Sequence, residues 1–186
     1  MAKHTLIAYV EDKPGVLNRV ASLFRRRNFN IESLTVGRTA EPGVSRMTIV
    51  LDSDRVSAER VTAYLYKLVN VLRVDDLTHK ASLTRELGLV KIKVTNDNRS
   101  QVLQLVEVFR ARVVDVDEKT ITVEVTGTPE KIVKFEMIMR PFGIVEMVRT
   151  GAVSMARGHE PISTVPSAAR SSKVDHHDTS GLSMSV

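Results

Sequence analysis

Seven consecutive residues, Glu11-Asp12-Lys13-Pro14-Gly15-Val16-Leu17, hold the best-placed chemistry of this chain. An alternating apolar segment ends at Glu11 and a helical apolar pattern starts at Val16, so the heptapeptide turns a strand into a helix. Pro14 is expected in the first helical turn, which leaves the amides of Gly15, Val16 and Leu17 without intrahelical acceptors. Such amides, backed by the helix dipole, hold a carboxylate. Gly15 brings no side chain into the approach, and Asp12 either caps the helix or accepts from an ammonium group. Carboxylate donors, an ammonium acceptor and a small apolar wall are what a free α-amino acid requires. The same residues also make an ordinary turn with a good helix start, and the turn alone does not decide between the two.

Other candidates lead less far. Arg25-Arg26-Arg27 could meet a phosphate, but three cations at a helix end are also what the macrodipole favours. Asp175-His176-His177-Asp178 has metal-ligand residue types without the distant partners that a fixed geometry needs. His4 and His79 are isolated. In Asp75-Asp76 and Asp115…Asp117-Glu118, neighbouring acids on a strand point to opposite faces. Nowhere do a nucleophile and base, a phosphate-binding glycine loop or a dinucleotide fingerprint occur. The residues present no catalytic constellation and no metal site.

The elements that must position the turn can be read from periodicity. Residues 5–10 alternate as a strand, and Val16, Leu17, Val20, Leu23 and Phe24 recur at helical spacing. Residues 29–36 and 45–51 read as strands joined by a Gly37…Pro42-Gly43 loop, followed by a helix with Val61, Leu65 and Leu68, and a strand at 71–77. The order then repeats: a strand within 86–95, a helix through Val102, Val106 and Phe109, and a hairpin of 113–116 with 121–125. Thr128-Pro129 starts a further helix, with Thr as N-cap and Pro at the first helical position, and 144–148 closes the set. These orders predict an α+β chain of two tandem ferredoxin-like βαββαβ units, residues 1–80 and 81–156. Residues 157–186, rich in Ser and lacking aromatics, predict a flexible tail.

The chain has 186 residues, 27 Lys+Arg against 22 Asp+Glu for a formal +5, no Cys, no Trp, and 42% hydrophobic residues. Without Cys there is no disulfide framework and no thiolate chemistry. No apolar run approaches the ~20 residues that span a bilayer, and the N-terminus carries no signal-peptide pattern. A soluble cytoplasmic chain with no membrane partner is expected. The βαββαβ order also serves RNA recognition, which stacks bases on strand aromatics; the third strand, Ser45-Arg46-Met47-Thr48-Ile49-Val50-Leu51, has none, so no nucleic acid is expected. Each unit is small and covers one sheet face with helices, so the other face and the edge strands need partners, which predicts an oligomer.

Three blocks taken together go further: Glu11-Asp12-Lys13-Pro14-Gly15-Val16-Leu17, Asn28-Phe29-Asn30-Ile31-Glu32-Ser33-Leu34 and Val44-Ser45-Arg46-Met47-Thr48-Ile49. With Lys67-Leu68-Val69-Asn70-Val71-Leu72-Arg73-Val74, Arg85-Glu86-Leu87 and Arg149-Thr150-Gly151, the chain resembles the ACT-domain regulatory subunits of acetohydroxyacid (acetolactate) synthase over residues 3–157. The resemblance implies a non-catalytic subunit. It would stimulate a separate catalytic large subunit and confer feedback inhibition by valine, leucine or isoleucine. Another ACT-type amino-acid sensor with a different target is the alternative. No cofactor is implied for this chain; thiamine diphosphate, magnesium and FAD are implied in the catalytic partner. The resemblance further implies a homodimer through the ACT unit, with Asp12, Gly15, Val16 and Leu17 of one chain meeting Asn30 and Ile31 of the other around the effector. Some relatives carry Asn where this chain has Asp12. Residues 81–156 are expected to contribute to docking on the catalytic subunit.

Overall fold

The computed structural model describes residues 3–52 and 57–158. Strand β1 (Lys3–Glu11) leads through the turn into helix α1 (Val16–Arg26), followed by β2 (Ile31–Arg38), β3 (Val44–Asp52), α2 (Ala58–Leu65) and β4 (Val71–Asp76). A second round follows: β5 (Ser82–Lys93), α3 (Arg99–Val108), β6 (Arg112–Val116), β7 (Thr120–Gly127), α4 (Pro129–Met139) and β8 (Ile144–Arg149). A short β9 (Val153–Ala156) ends the described chain. The two antiparallel sheets run β2-β3-β1-β4 and β6-β7-β5-β8, the orders of two ferredoxin-like units. Among the described residues, no helix is long and apolar enough to cross a membrane. From residue 159 on, the segment read as a flexible tail, with Asp175-His176-His177-Asp178, lies outside the described residues.

Each helix packs one stripe on one sheet face. Val16, Val20, Leu23 and Phe24 of α1 and Val61 and Leu65 of α2 close over Leu6, Ala8 and Val10 of β1 and Met47, Ile49 and Leu51 of β3. The second core repeats this with Val102 and Val106 of α3 and Ile132, Phe135 and Met139 of α4 over Val90, Ile92, Ile121, Val123 and Val125. Burying each such Val, Leu, Ile, Phe or Met side chain contributes about 1.5–3 kcal/mol. α4 starts as its residues dictate: Thr128 is the N-cap, its hydroxyl accepts from the Lys131 amide, and Pro129 follows at the first position.

The structure departs from the sequence reading at the joint between the units. β5 begins at Ser82, not near Glu86, and its first four residues pair with β9, from Ser82↔Ala156 to Arg85↔Val153. That ribbon lies against the helix-free face of the first sheet. Ser33 Oγ accepts from the Ala152 amide at 2.9 Å, Thr35 Oγ1 donates to the Thr150 carbonyl, and Arg46 donates to the Ser154 carbonyl. Ile7, Thr48 and Val50, all on that face, are buried. The face expected to need another chain is therefore covered partly from within, while β2 and β4 remain edges.

Gly151 makes the closest approach at this joint. Its φ is +81°, and a Cβ there would lie 2.6 Å from Ser33 Oγ. Gly151→Ala combines left-handed strain with that overlap and is expected to destabilise the chain by about 1–3 kcal/mol. Adding Ser33→Ala should recover part of the loss in a denaturant titration; a Gly151→Ala chain as stable as wild type would contradict this packing.

Candidate functional site

The β1–α1 turn is braced from two sides. The Asp12 amide donates to the Gly43 carbonyl at 2.8 Å and the Glu11 amide to the Asn70 carbonyl at 2.9 Å. The Asn70 side chain bridges Glu11 Oε2 at 2.5 Å and Arg19 at 2.7 Å. Asn70, and then Lys13, hold the Glu11 carboxyl below its ordinary range. The turn is thus positioned by the loop that precedes β4 and by the β2–β3 connection, neither adjacent in sequence.

Helix α1 begins at Val16, two residues beyond the Pro14 expected in its first turn. Gly15 is its N-cap at φ +82°, in the left-handed region, so Pro14 precedes the helix and is not in its first turn. Glycine is suited to that conformation because it has no Cβ. No side chain caps the helix, so Asp12 does not take that role; its carboxylate pairs instead with Arg38 Nε at 2.9 Å. The Val16 amide donates to the Lys13 carbonyl at 3.3 Å. Among the described residues, the amides of Gly15, Leu17 and Asn18 have no hydrogen-bond partner. A Cβ placed on Gly15 meets nothing within 4 Å, so the space beside Gly15 is open. Val16 turns its side chain into the core at 4% exposure, whereas Leu17 stands 46% exposed beside the turn.

Asn30 and Ile31 lie elsewhere in the chain. Ile31 pairs with Leu51 at one end of the sheet and Arg38 with Ser45 at the other, next to Glu11↔Val44. Seven strand residues separate the two ends, about 23 Å. The six candidate residues therefore fall into two groups at opposite ends of β2. Arg38, Asn70 and Arg19 were not among the candidates, because only strand register and loop packing bring them to the turn.

A cleft of about 840 Å³ opens between the units, lined among others by Lys3, Glu32, Glu86, Glu130 and Arg149. None of residues 11–17 lines it. At its rim the buried Glu86 carboxylate receives two bonds from Arg149, at 2.6 and 2.8 Å. That pairing pushes the Arg149 guanidinium further up from its already high range. Among the described residues, no group of three or more His, Asp or Glu side chains is placed to hold a metal.

Two ferredoxin-like units, the first with an open glycine turn at its first helix, place the molecule among ACT-type proteins. The family described as "AHAS small subunit-like ACT domain" matches residues 6–73, and the family described as "Small subunit of acetolactate synthase" matches residues 85–158. The acetolactate synthase small subunit of Mycobacterium leprae is 49% identical over 162 residues, covering 87% of this chain and 96% of that protein. That of Mycolicibacterium smegmatis is 46% identical over 155 residues, with 83% and 91% covered. The crystal structure of the acetolactate synthase small subunit from Thermotoga maritima superposes with a TM-score of 0.80 at 34% identity, over 86% of this chain and all of that one. The chain belongs to the family of acetolactate synthase small subunits, the regulatory subunits of a branched-chain amino acid biosynthetic enzyme.

Proposed function

We propose that this chain is a non-catalytic, cytoplasmic subunit that activates the catalytic large subunit of acetolactate synthase and makes it sensitive to valine or another branched-chain amino acid. The chemistry on thiamine diphosphate, magnesium and FAD belongs to the large subunit. Residues 1–80 form the sensing unit, and residues 81–156 contribute to docking.

The open row of unpartnered amides at Gly15, Leu17 and Asn18 carries the reading. Two half-sites at opposite ends of an edge strand are what an isologous dimer completes. Antiparallel pairing of β2 with its symmetry mate sets residue 31 of one chain against residue 38 of the other. Asn30 and Ile31 then reach the partner's Asp12–Leu17 turn. The carboxylate of the amino acid lies on the amides and its ammonium group meets Asp12, which exchanges Arg38 for the ligand. Leu17 and Ile31 form the apolar wall, and Asn30 adds a hydrogen bond from across the interface. A ligand shared by two chains favours whichever dimer arrangement closes the site, and shifts inhibition only by its differential affinity for the two arrangements.

Mixing the chain with its purified catalytic subunit, and measuring acetolactate formation with and without valine, tests the function. Stimulation with valine sensitivity supports it; amino-acid binding without any effect on acetolactate formation would assign the chain to a different target. Asn30→Ala should weaken valine binding about tenfold in calorimetry, the loss of one hydrogen bond. Wild-type affinity in that variant would remove Asn30 from the site.

A further inference from the structure

The formal charge of +5 is not spread over the molecule. The helix layer of the first unit carries Arg19, Arg25, Arg26, Arg27, Arg60 and Lys67 against one described acid, Glu59, a surplus equal to that of the whole chain. Helix α1 contains no acidic residue at all. The helices of the second unit mix the signs, with Arg99 and Glu107 on α3 and Glu130, Lys131, Lys134 and Glu136 on α4.

Local structure accounts for only part of this cluster. Arg25 and Arg26 sit in the last turn of α1, where the dipole welcomes cations, but Arg60 sits in the first turn of α2, where it opposes the dipole. Arg27 and Lys67 both stack on Tyr64, at 4.1 and 5.1 Å from its ring, which holds two like charges close together. Arg25, Arg26 and Arg60 are exposed and have no ion-pair or hydrogen-bond partner among the described residues. Self-repulsion of such a cluster lowers stability, and a complementary acidic surface relieves it.

We infer that this face, centred on Arg25, Arg26 and Arg60, docks on an acidic patch of the catalytic large subunit; the inference rests on the partner named under the proposed function. The face is compatible with the dimer. Arg19 reaches Asn70 on the α2 side of α1, whereas Leu17, two residues back and about 200° around the helix, lies on the β2 side. The dimer and the docking surface thus use different flanks of α1. A protein partner is favoured over single-stranded RNA because the strands of this unit present no row of stacking aromatics, only Tyr9.

Association of the full chain with the purified catalytic subunit, measured across about 0.05–0.5 M salt, tests the assignment. The wild-type affinity should fall steeply with salt. Arg25→Glu/Arg26→Glu should weaken it at least ~10-fold at the low-salt end and flatten the salt dependence, with valine affinity unchanged within about twofold. Arg60→Glu provides a signature of opposite signs: it should weaken association while raising the melting temperature of the free chain, because an acid replaces a cation at a helix start. Unchanged affinity and salt slope in these variants would overturn the docking face and leave the proposed function standing. A wild-type chain that does not bind the catalytic subunit would overturn both. Charge-sensitive binding of RNA or anionic vesicles, with large-subunit binding unaffected by the variants, would reassign the face.

Discussion

A Gly15→Asp chain is expected to keep activating the catalytic subunit while losing its response to valine altogether. The position tolerates the side chain sterically, since a Cβ there meets nothing within 4 Å. Its φ of +82° is one that Asp and Asn accept more readily than other residues, at about 1–2 kcal/mol. The fold and its docking surfaces should therefore survive. The new carboxylate, however, stands before the free amides where the ligand carboxylate would lie. Two such charges about 4 Å apart near a protein surface repel by roughly 4 kcal/mol, which exceeds two decades in Kd. Gly15→Asn separates charge from shape: it blocks part of the space without the repulsion and should weaken binding less. Valine titration by calorimetry, beside inhibition of the reconstituted enzyme, reads both variants. Normal valine affinity in Gly15→Asp would move the effector site elsewhere.

The second large effect concerns folding. Arg149→Met leaves the Glu86 carboxylate, with 4% of its side chain exposed, stripped of both hydrogen bonds from Arg149. Removing one partner of a buried pair costs more than the pair is worth, because the surviving charge keeps its desolvation penalty. About a third of the Arg149 side chain meets water, which screens the pair and places the expected loss near 2–3 kcal/mol. In a chain of this size that lowers the melting temperature by roughly 4–12 °C. The double variant Glu86→Gln/Arg149→Met removes the stranded charge and should regain much of the loss. A single variant melting like wild type would show that Glu86 finds another partner at the cleft.

Where local pattern and tertiary environment agree, the fold was legible in advance. Val16, Val20, Leu23 and Phe24 recur at helical spacing, and all four are buried in the core. Thr128-Pro129 starts α4 as those residue types require. β9 was not legible, because four residues are too few for alternation to stand out. Its partner at Ser82–Arg85 is far away in sequence, and no local pattern announces the pairing. The late start of α1 was hidden for another reason. Pro-Gly suits either the first helical turn or the turn before it, and hydrogen bonds to residues 43 and 70 decide which.

Residue types and their spacing were sufficient for two βαββαβ units, for a glycine turn between the first strand and the first helix, and for the relationship to acetolactate synthase small subunits. These depend on short-range periodicity, on helix-end chemistry and on contiguous blocks of sequence. Tertiary structure alone decided that Asp12 pairs with Arg38, that Asn70 braces the turn, and that Ser33 and Thr35 hold the chain that leads into β9. It also decided that Asn30 and Ile31 stand a strand's length from Gly15 within one chain. Each of these depends on register between strands distant in sequence, and a register shift of one residue would turn every side chain to the opposite face.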